Sequence, residues 1–330
     1  MIHVPVLLKE VIEILDPQPG EFFIDGTIGS GGHAVKIFEK ILPNGKLLGL
    51  DLDKNNLKIA KSKILTELRI KNSELRNNLI LIHGNYTDLP EILKKEKLGK
   101  ANGLIIDLGF SSEHLESGRG FSFLKNEPLD MRYNVETRDK GQETSDKRQA
   151  TRTVTEIINS FNEKDLAEIF WKYGEERYSR QIARKIIEER KIKPIKTTFD
   201  LVEIIKKVIP PSHFHRHSHR QIHPATKVFQ ALRIYVNHEL ENLEKILKNL
   251  GKIIKNKGRI AIISYHSLED RLVKNYFREL KNQRKAQILT NPAGKPSVSY
   301  GARKPIRPTN EEIQANPRSR SAKLRVIILR

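Results

Sequence analysis

The sequence predicts an α/β protein: a parallel sheet with helices on both faces, interrupted by an inserted all-helical subdomain. Through the first 110 residues, short and continuously apolar runs alternate with helical stretches, a pattern typical of parallel strands buried on both faces. About 150 residues then separate the fourth apolar run from the fifth. Because a single crossover is much shorter than this, the gap must hold an insertion.

Six apolar runs are the predicted strands. In chain order they are FFID (22–25), KLLGLD (46–51), LILIHG (79–84), GLIID (103–107), RIAIIS (259–264) and KLRVIIL (323–329). Helical stretches follow the first three runs, over residues 33–42, 54–68 and 90–98. This alternation predicts successive βαβ units within one sheet.

The gap is predicted to be largely helical. Residues 125–152 are polar and turn-rich, which indicates a loop. Helical periodicity then covers three pieces, 154–161, 163–190 and 198–209. Pro210-Pro211 ends the last of them, because proline cannot continue a helix.

After the gap, residues 223–254 predict one long amphipathic helix that packs back on the sheet and is broken at Gly251 or ended by Gly258. Residues 284–320 contain five prolines and little periodicity, which predicts an extended basic loop. The domain boundaries expected from these patterns are 1–124 with 218–330 for a discontinuous sheet domain, and 125–217 for the helical insertion.

The charge points to a polyanionic partner. A formal net charge of +20 and a pI near 9.9 suit nucleic acid most simply, with an anionic membrane surface as the alternative. A Lys-rich composition throughout the chain would also raise the charge. However, residues 281–330 hold 12 Lys and Arg against 2 acids, so the excess is concentrated in the last fifty residues.

Several classes of protein are excluded. The chain has no cysteine, which rules out disulfides, thiolate zinc sites and a cysteine nucleophile. The N-terminal residues lack the basic region of a signal peptide, and no apolar run approaches the ~20 residues of a spanning helix. We therefore expect a soluble, cytoplasmic protein.

The run DGTIGSGGHA (25–34) lies between the first strand and the first helix of the sheet. A glycine-rich turn at this place lets backbone N–H groups approach a ligand, and an acid that ends the second strand, here Asp51, can accept a ribose diol. Glycines four and six residues after Asp25 match the methyltransferase form of this turn. The dinucleotide-binding fingerprint G-x-G-x-x-G would need glycine at residue 34, but its variant form accepts alanine, so Ala34 does not exclude it.

Two further segments follow strands on the ligand side of the sheet. Asp107 ends the fourth strand and is followed by Phe110; these residues could meet an exocyclic amine and stack on a base, or could cap a helix and fill the core. After the fifth strand, Tyr265, His266 and Glu269 are candidates for the substrate pocket. The same segment also fits a helix start with Ser267 as N-cap and Asp270 at the third helical position, and both roles can hold.

Residues 213–223 contain five of the eleven histidines. Alternating histidines in a loop fix no coordination geometry, and no acid or cysteine lies among them. A basic, partly protonatable loop facing RNA is favoured over a metal site, and no metal is expected.

Seven segments of the chain, in the right order, resemble the RsmH (MraW) family. They are DGTIGSGGHA, GLDLDKNNL, DLGFSS, RGFSFLKNEPLDMRYN, HPATKVFQALRIYVN, SYHSLEDR and NPRSRSAKLRV. The resemblance runs from His3 to the last strand, and seven motifs in register are highly specific. It implies a class I (Rossmann-like) S-adenosylmethionine-dependent methyltransferase fold with a helical insertion. It also implies N4-methylation of a decoding-centre cytidine, cytosine-1402 of bacterial 16S rRNA.

The resemblance implies seven contacts with S-adenosylmethionine: a Gly-Gly-His turn, a ribose acid, an aromatic residue beside the adenine, the acid after the fourth strand and one more polar residue. In this sequence they are Gly31, Gly32, His33, Asp51, Tyr86, Asp107 and His114. At the last position the family has glutamine in a Ser-Ser-Pro-Gln context, whereas this chain has Ser-Ser-Glu-His. A histidine there can still form a hydrogen bond.

For such a reaction the enzyme must align N4, methyl and sulfur for in-line displacement, because the cytosine N4 lone pair is delocalised into the ring. We predict that Asp107, or a backbone carbonyl of residues 108–110, accepts a hydrogen bond from N4. Phe110 or Tyr265 would stack on the extruded base, and His266 is a further candidate for the pocket.

The expected partner is 16S rRNA or the small ribosomal subunit, held at its phosphates by the basic tail and the insertion. The insertion has few aromatic residues, so its specificity is expected to come from shape. Two other functions stay open: a non-catalytic rRNA-binding assembly factor and a DNA cytosine-N4 methyltransferase. A nicotinamide dehydrogenase is disfavoured, because no catalytic His–acid pair follows the turn. The sequence leaves open a homodimer, the N4 proton acceptor, and whether the substrate is free rRNA or an assembled subunit.

Overall fold

The chain divides into two compact units, residues 1–109 with 240–330 (the sheet unit) and residues 110–239 (the inserted unit). The computed structural model describes residues 5–70, 78–109, 112–133, 152–210, 223–283, 286–287 and 304–330. The inserted unit therefore extends beyond the expected residues 125–217 at both ends. It takes in the segment after the fourth strand and a helix that was assigned to the sheet domain.

The strands and helices alternate along the chain as the sequence predicts. The strands are β1 (Phe22–Asp25), β2 (Lys46–Asp51), β3 (Leu79–His83), β4 (Ala101–Asp107), β5 (Ile254–Ser264), β6 (Ala286–Gln287) and β7 (Lys323–Leu329). The helices are α1 (Leu8–Leu15), α2 (Gly32–Ile41), α3 (Lys54–Leu68), α4 (Leu89–Lys95), α5 (Ser112–Glu116), α6 (Val154–Ser160), α7 (Glu163–Gly174), α8 (Ser179–Ile192), α9 (Thr198–Val208), α10 (Thr226–Asn237), α11 (Glu239–Ile253), α12 (Ser267–Asn282) and α13 (Asn310–Ala315).

All seven strands seen in the described residues belong to one sheet, in the order β3-β2-β1-β4-β5-β7-β6. Strands β1 to β5 pair in parallel, whereas β7 pairs antiparallel with both β5 and β6. The chain builds outward from β1 through β2 to β3 and then returns to place β4 on the other side of β1. The order therefore reverses between β1 and β4, which is where open α/β sheets bind ligands.

Helices cover both faces of this sheet, as predicted. Phe23 of β1 belongs to a hydrophobic cluster formed with α1, α2 and α3. Its neighbours Phe22 and Ile24 belong to a second cluster, formed with α4, α11 and α12. Successive strand residues point to opposite faces, so a strand covered on both sides must be apolar at every position. This explains the continuous run FFID.

The inserted unit contains helices α5 to α10, and two of the predicted helices are interrupted. The piece predicted over residues 163–190 breaks at Glu175, and the long helix predicted over residues 223–254 breaks at His238 rather than at Gly251. Both breaking residues adopt the left-handed conformation, with φ of 49° and 51°. Neither is glycine, the residue that commonly ends helices in this way, so neither residue type signals the break.

Of the extended basic loop predicted over residues 284–320, residues 284–285 and 288–303 lie outside the described residues, and the described part from residue 304 onward (the C-terminal segment) is not a simple loop. It contains α13 and a 3₁₀ turn at Pro317–Ser321. Ile306 forms a two-way backbone pairing with Leu324 of β7, at 3.0 and 2.9 Å. Among the described residues, no helix has the length and apolar character needed to cross a membrane.

Candidate active site

The glycine turn follows β1 at the point where the strand order reverses. Gly29 and Gly31 have φ of 50° and 87°, values that favour glycine because they bring a Cβ close to the following carbonyl. A Cβ on Gly31 would also lie 3.1 Å from Cα of Ala60. The turn therefore requires glycine at this position for both its backbone conformation and its close contact with α3.

Asp51 holds the turn from the end of β2. One carboxylate oxygen accepts a hydrogen bond from the Gly29 N–H at 2.9 Å, and the other accepts from the Asp53 N–H at 2.8 Å and the Asn56 side-chain amide at 3.1 Å. A carboxylate can accept about four hydrogen bonds, which leaves roughly one position for a ligand hydroxyl. Asp51 thus shapes the turn and retains some capacity to bind.

Asp25, at the end of β1, is buried beneath the turn, with only 2% of its surface exposed. Burial raises its pKa to about 7, against the lowering effect of a hydrogen bond from the Thr27 N–H. The charges of Asp107 and Asp51 raise that pKa further. Burial also raises the pKa of Asp51. The three neighbouring strands β2, β1 and β4 therefore end in the carboxyl groups of Asp51, Asp25 and Asp107, and the charges of Asp51 and Asp107 act on Asp25. We call this edge of the sheet the acidic edge.

The Thr27 side chain ties this turn to the next strand. Its hydroxyl oxygen accepts a hydrogen bond from the Asp107 N–H at 2.7 Å. Tyr86 follows β3, and its Cβ would lie 3.3 Å from a Cβ placed on Gly26. The structure thus brings the predicted cofactor contacts Gly31, Gly32, Asp51, Tyr86 and Asp107 to the same edge of the sheet.

Asp107 is paired with Tyr265 across the ends of β4 and β5. The Tyr265 hydroxyl donates a hydrogen bond to the Asp107 carboxylate, and burial followed by the charge of Asp107 raises the tyrosine pKa well above its ordinary value. The tyrosine ring lies against Gly109, where a Cβ would be 2.7 Å from a ring carbon. Two of the predicted catalytic side chains are therefore in direct contact.

His266 and Glu269 form the start of α12, which corrects the predicted cap. His266, not Ser267, is the N-cap: its Nδ1 accepts from the Glu269 N–H at 3.4 Å, and the Glu269 carboxylate accepts from the N–H groups of Tyr265 and His266. His266 Nε2 lies 3.1 Å from Glu269 Oε1 but is not aligned as a hydrogen bond. Asp270, predicted as the acid of the cap, instead pairs with Arg325 at 2.6 Å.

The His33 ring is buried and contacts the backbone of the N-terminal residues. Its Nε2 lies 2.9 Å from the Val6 carbonyl oxygen, and only 7% of the residue is exposed. The ring Nε2 is therefore engaged with the protein, while the backbone of His33 lies in the first turn of α2 together with Gly32.

His114 belongs to the inserted unit. It is buried, and its ring centroid lies 5.3 Å from that of Phe121 and 4.8 Å from that of Tyr133. Phe110 and residues 213–222 of the histidine-rich loop lie outside the described residues. His223, the last histidine of that loop, stacks on Phe123 with centroids 4.5 Å apart and accepts a hydrogen bond from the Ala225 N–H.

The inserted unit contains a cleft of about 1180 Å³, which the sequence did not predict. Three aromatic rings line it, those of Phe161, Tyr173 and Tyr235, with centroids of neighbouring rings 5.9 and 6.0 Å apart. Arg152 lies over the Phe161 ring and Lys172 over the Tyr173 ring, at 5.4 and 4.9 Å.

The walls of this aromatic cleft also carry polar groups. The acids are Glu156, Asp165 and Glu168, and the amides are Asn159 and Asn162. Flat rings beside hydrogen-bonding groups suit a nucleobase, which offers a π-face and polar edges. The sequence indicated few aromatic residues in the insertion, and it placed Tyr235 in a different domain.

Asp25 is the residue of the acidic edge that was not included among the predicted site residues. Its signal was present, since it ends the first strand directly before the glycine turn. The pattern gave it the role of a motif acid, but only the fold shows that it is buried and close enough to Asp51 and Asp107 for the three charges to interact.

Comparison with known proteins gives a consistent result. The family model described as the MraW methylase family matches residues 1–329. The chain is 42% identical over 327 residues to the ribosomal RNA small subunit methyltransferase H of Dictyoglomus thermophilum, covering 98% of this chain and 96% of the relative. It is also 42% identical over 325 residues to the protein of the same name from Thermosipho melanesiensis, covering 98% and 96%.

Among solved structures, an rRNA methylase from Streptococcus thermophilus aligns over 100% of this chain and 98% of its own, at 14% identity and a TM-score of 0.40. This similarity is too low to support an argument about the chain.

Proposed function

Because the chain belongs to the MraW methylase family, we propose that it transfers a methyl group from S-adenosylmethionine to the exocyclic N4 of one cytidine in small-subunit rRNA, cytosine-1402 of 16S rRNA. The names of these relatives, both ribosomal RNA small subunit methyltransferase H, support the rRNA substrate. A protein acting on rRNA would work in the cytoplasm, where ribosomal subunits are assembled.

The observation that carries the choice of cofactor is the acidic edge. Asp51 and Asp107 end the two strands that flank β1, on either side of the glycine turn, while Asp25 of β1 is buried beneath it. Carboxylates repel the phosphates of a dinucleotide but attract the sulfonium and ammonium groups of S-adenosylmethionine. The turn therefore fits a nucleoside cofactor that is positively charged and lacks phosphates, and a dehydrogenase is disfavoured.

Each group of the acidic edge has a place in this scheme. Gly31 and Gly32 let the turn pack closely on the protein, since a Cβ would meet Ala60 at Gly31 and the Pro5 ring at Gly32. Asp51 has one hydrogen-bonding position left for a ribose hydroxyl. Tyr86 stands beside the turn and is suited to flank the adenine. These residues would hold S-adenosylmethionine, which supplies an activated methyl group when bound.

The chemistry of the acceptor falls to Asp107. We assign it the hydrogen bond from N4, which directs the nitrogen lone pair toward the methyl group. As the N–CH3 bond forms and the sulfonium S–CH3 bond breaks, the carboxylate stabilises the positive charge that develops on N4 and accepts the proton that N4 loses. Tyr265 donates to the same carboxylate, so it fixes the orientation of the acid. His266, held at the N-cap of α12 by Glu269, is placed to shape the pocket rather than to transfer a proton.

Recognition of rRNA is assigned to two regions, each in its own unit. The C-terminal segment carries exposed cations at Lys304, Arg307, Arg318 and Arg320, which suit phosphates. The aromatic cleft of the inserted unit suits a base, because its acids would repel phosphates but can accept hydrogen bonds from an exocyclic amine. Base stacking thus joins the shape recognition expected from the sequence.

A non-catalytic assembly factor remains the second candidate. It would need the rRNA-binding surfaces but not a hydrogen-bonded Asp107–Tyr265 pair beside the turn. A DNA methyltransferase has no observation in its favour here.

The test is methyl transfer from labelled S-adenosylmethionine to naked 16S rRNA, assembled small subunits and DNA from a strain that lacks the enzyme. Nucleoside digestion and mass spectrometry identify the product. We expect N4-methylcytidine at one rRNA site. Cofactor binding without transfer to any substrate would instead favour the assembly factor, and transfer to DNA would overturn the rRNA assignment.

A further inference from the structure

Three residues near the N-terminus, Pro5–Leu7, lie against the glycine turn; we call them the strap. The Pro5 ring is so close to Gly32 that a Cβ there would overlap it. Val6 and Leu7 are buried, and Leu7 adopts the left-handed conformation, with φ of 54°. A left-handed β-carbon-bearing residue is unfavourable on its own, so the surrounding contacts must fix the strap in place.

One of these contacts comes from the turn. The His33 ring Nε2 lies 2.9 Å from the Val6 carbonyl oxygen. The sequence resemblance makes His33 a cofactor contact, but this geometry gives its side chain a different task. The ring joins the strap to the first turn of α2, next to the glycines that would meet the cofactor.

The other contact comes from the far end of the chain. Glu312 Oε1 accepts a hydrogen bond from the Leu7 N–H at 2.8 Å, across 305 residues of sequence. Glu312 is at the third position of α13, and its own N–H donates to the N-cap Thr309. In a capping box the acid at this position returns to the N-cap of its own helix. Here the Glu312 carboxylate instead accepts from the Leu7 N–H of the strap. Leu7 is the N-cap of α1, and its apolar side chain forms no capping hydrogen bond.

We propose that Glu312 and His33 are positioning residues that hold the strap against the glycine turn, so that cofactor affinity depends on the C-terminal segment. That segment is the one whose exposed cations Lys304, Arg307, Arg318 and Arg320 would meet rRNA phosphates. If rRNA binding moved α13, the Glu312 carboxylate would move with it and would shift the strap against the glycine turn. The inference rests on the proposed function only in placing the cofactor at this turn.

A purely structural role for Glu312, as a distant cap for α1, makes a different prediction. Loss of a cap lowers stability but leaves the binding of cofactor to the folded protein unchanged. Loss of a positioning contact weakens cofactor binding and leaves the turnover at saturating cofactor nearly intact. The two roles therefore separate when binding, turnover and stability are measured on the same variants.

The experiment compares Glu312→Ala, Glu312→Gln and Glu311→Ala, using S-adenosylhomocysteine as the probe in calorimetry. Glu311 is the matched control, since it lies on the same helix and is exposed. We expect Glu312→Ala to weaken binding up to about tenfold, the size expected for loss of one hydrogen bond, with turnover at saturating cofactor within about twofold. Glutamine retains the acceptor, so Glu312→Gln and Glu311→Ala should bind as wild type.

A double-mutant cycle with His33→Ala adds the second contact. If both residues act through the strap, the loss of S-adenosylhomocysteine binding free energy in the double variant will be smaller than the sum of the losses in Glu312→Ala and His33→Ala. Hydrogen exchange of the peptide that contains Leu7 gives a direct readout: S-adenosylhomocysteine should slow exchange in wild type but not in Glu312→Ala.

The inference fails if Glu312→Ala binds the probe normally and only loses stability, or if ligand still protects Leu7 in that variant. Failure of wild type to bind the probe at all would refute the proposed cofactor instead.

Discussion

The acidic edge of the sheet unit and the aromatic cleft of the inserted unit are both lined by polar side chains, but they are assembled in different ways. At the edge, one acid ends each of three parallel strands, and a short turn follows the first. In the cleft, the aromatic residues come from the end of α6, from α7 and from α10, and Tyr235 lies 62 residues after Tyr173.

The contrast shows why the two sites differ in how they can be recognised. Parallel strands bring their carboxyl ends to one edge of a sheet, so local sequence places the acids before any tertiary contact is known. A helical cleft depends on which faces meet, and no short motif reports that. We expect the edge to respond to single changes in charge and the cleft to changes in surface shape.

The largest expected effect is on stability, through Asp25. Its folded-state pKa is raised to about 7, so between its ordinary value and pH 7 the folded protein holds a proton that the unfolded chain has released. The free energy of unfolding therefore falls as pH rises through this window, by at most about 4 kcal/mol, and levels off above it. Asp25→Asn should remove this fall, as measured by urea unfolding at pH 5 and pH 8.

The control for Asp25 is Glu39→Gln, which changes an exposed acid of α2 paired with Lys36. It should keep the wild-type fall in stability. An Asp25→Asn variant that loses stability with pH as steeply as wild type would show that the buried carboxyl is not the group responsible, and the acidic edge would lose its electrostatic basis.

The next effect is on catalysis. Asp107→Asn keeps the shape of the side chain but removes its charge, and we expect kcat to fall about 100-fold while S-adenosylhomocysteine binds within a few-fold of wild type. Single-turnover methylation of small subunits and calorimetry give the two values. Tyr265→Phe removes only the hydroxyl that orients Asp107, so we expect a smaller fall in kcat. Unchanged turnover in Asp107→Asn would refute its assigned role.

A change to the turn should weaken cofactor binding. Gly31→Ala introduces a Cβ at φ 87° and 3.1 Å from Ala60, and strain of about 1–3 kcal/mol at such positions predicts about a tenfold rise in the Kd for S-adenosylhomocysteine. Gly99→Ala is matched to it, with φ of 72° and no atom within 4 Å. Equal losses of affinity in the two variants would mean that backbone strain acts through general destabilisation.

The smallest effect concerns the aromatic cleft. Phe161→Ala removes one ring and should raise the KM for rRNA about fivefold, near the lower end for loss of one stacked base, without changing cofactor affinity. Phe199→Ala is the control, because this exposed phenylalanine of α9 lies in the same unit but does not line the cleft. An unchanged KM in Phe161→Ala would leave rRNA recognition to charge and shape.

By itself, the sequence determined the sheet and the turn. The apolar runs predicted β1 to β5 and β7, and the run DGTIGSGGHA located the ligand edge, because strand burial and tight turns impose requirements on consecutive residues. It also located Asp51, Asp107 and Tyr265 at the ends of strands.

Only the tertiary structure decided the rest. The breaks at Glu175 and His238 use non-glycine residues in left-handed conformations, which the residue types at these positions do not predict. The bond between Glu312 and Leu7 joins residues 305 positions apart, and the cleft combines rings from separate helices. Such contacts depend on how whole elements dock, so no window of neighbouring residues contains the information that specifies them.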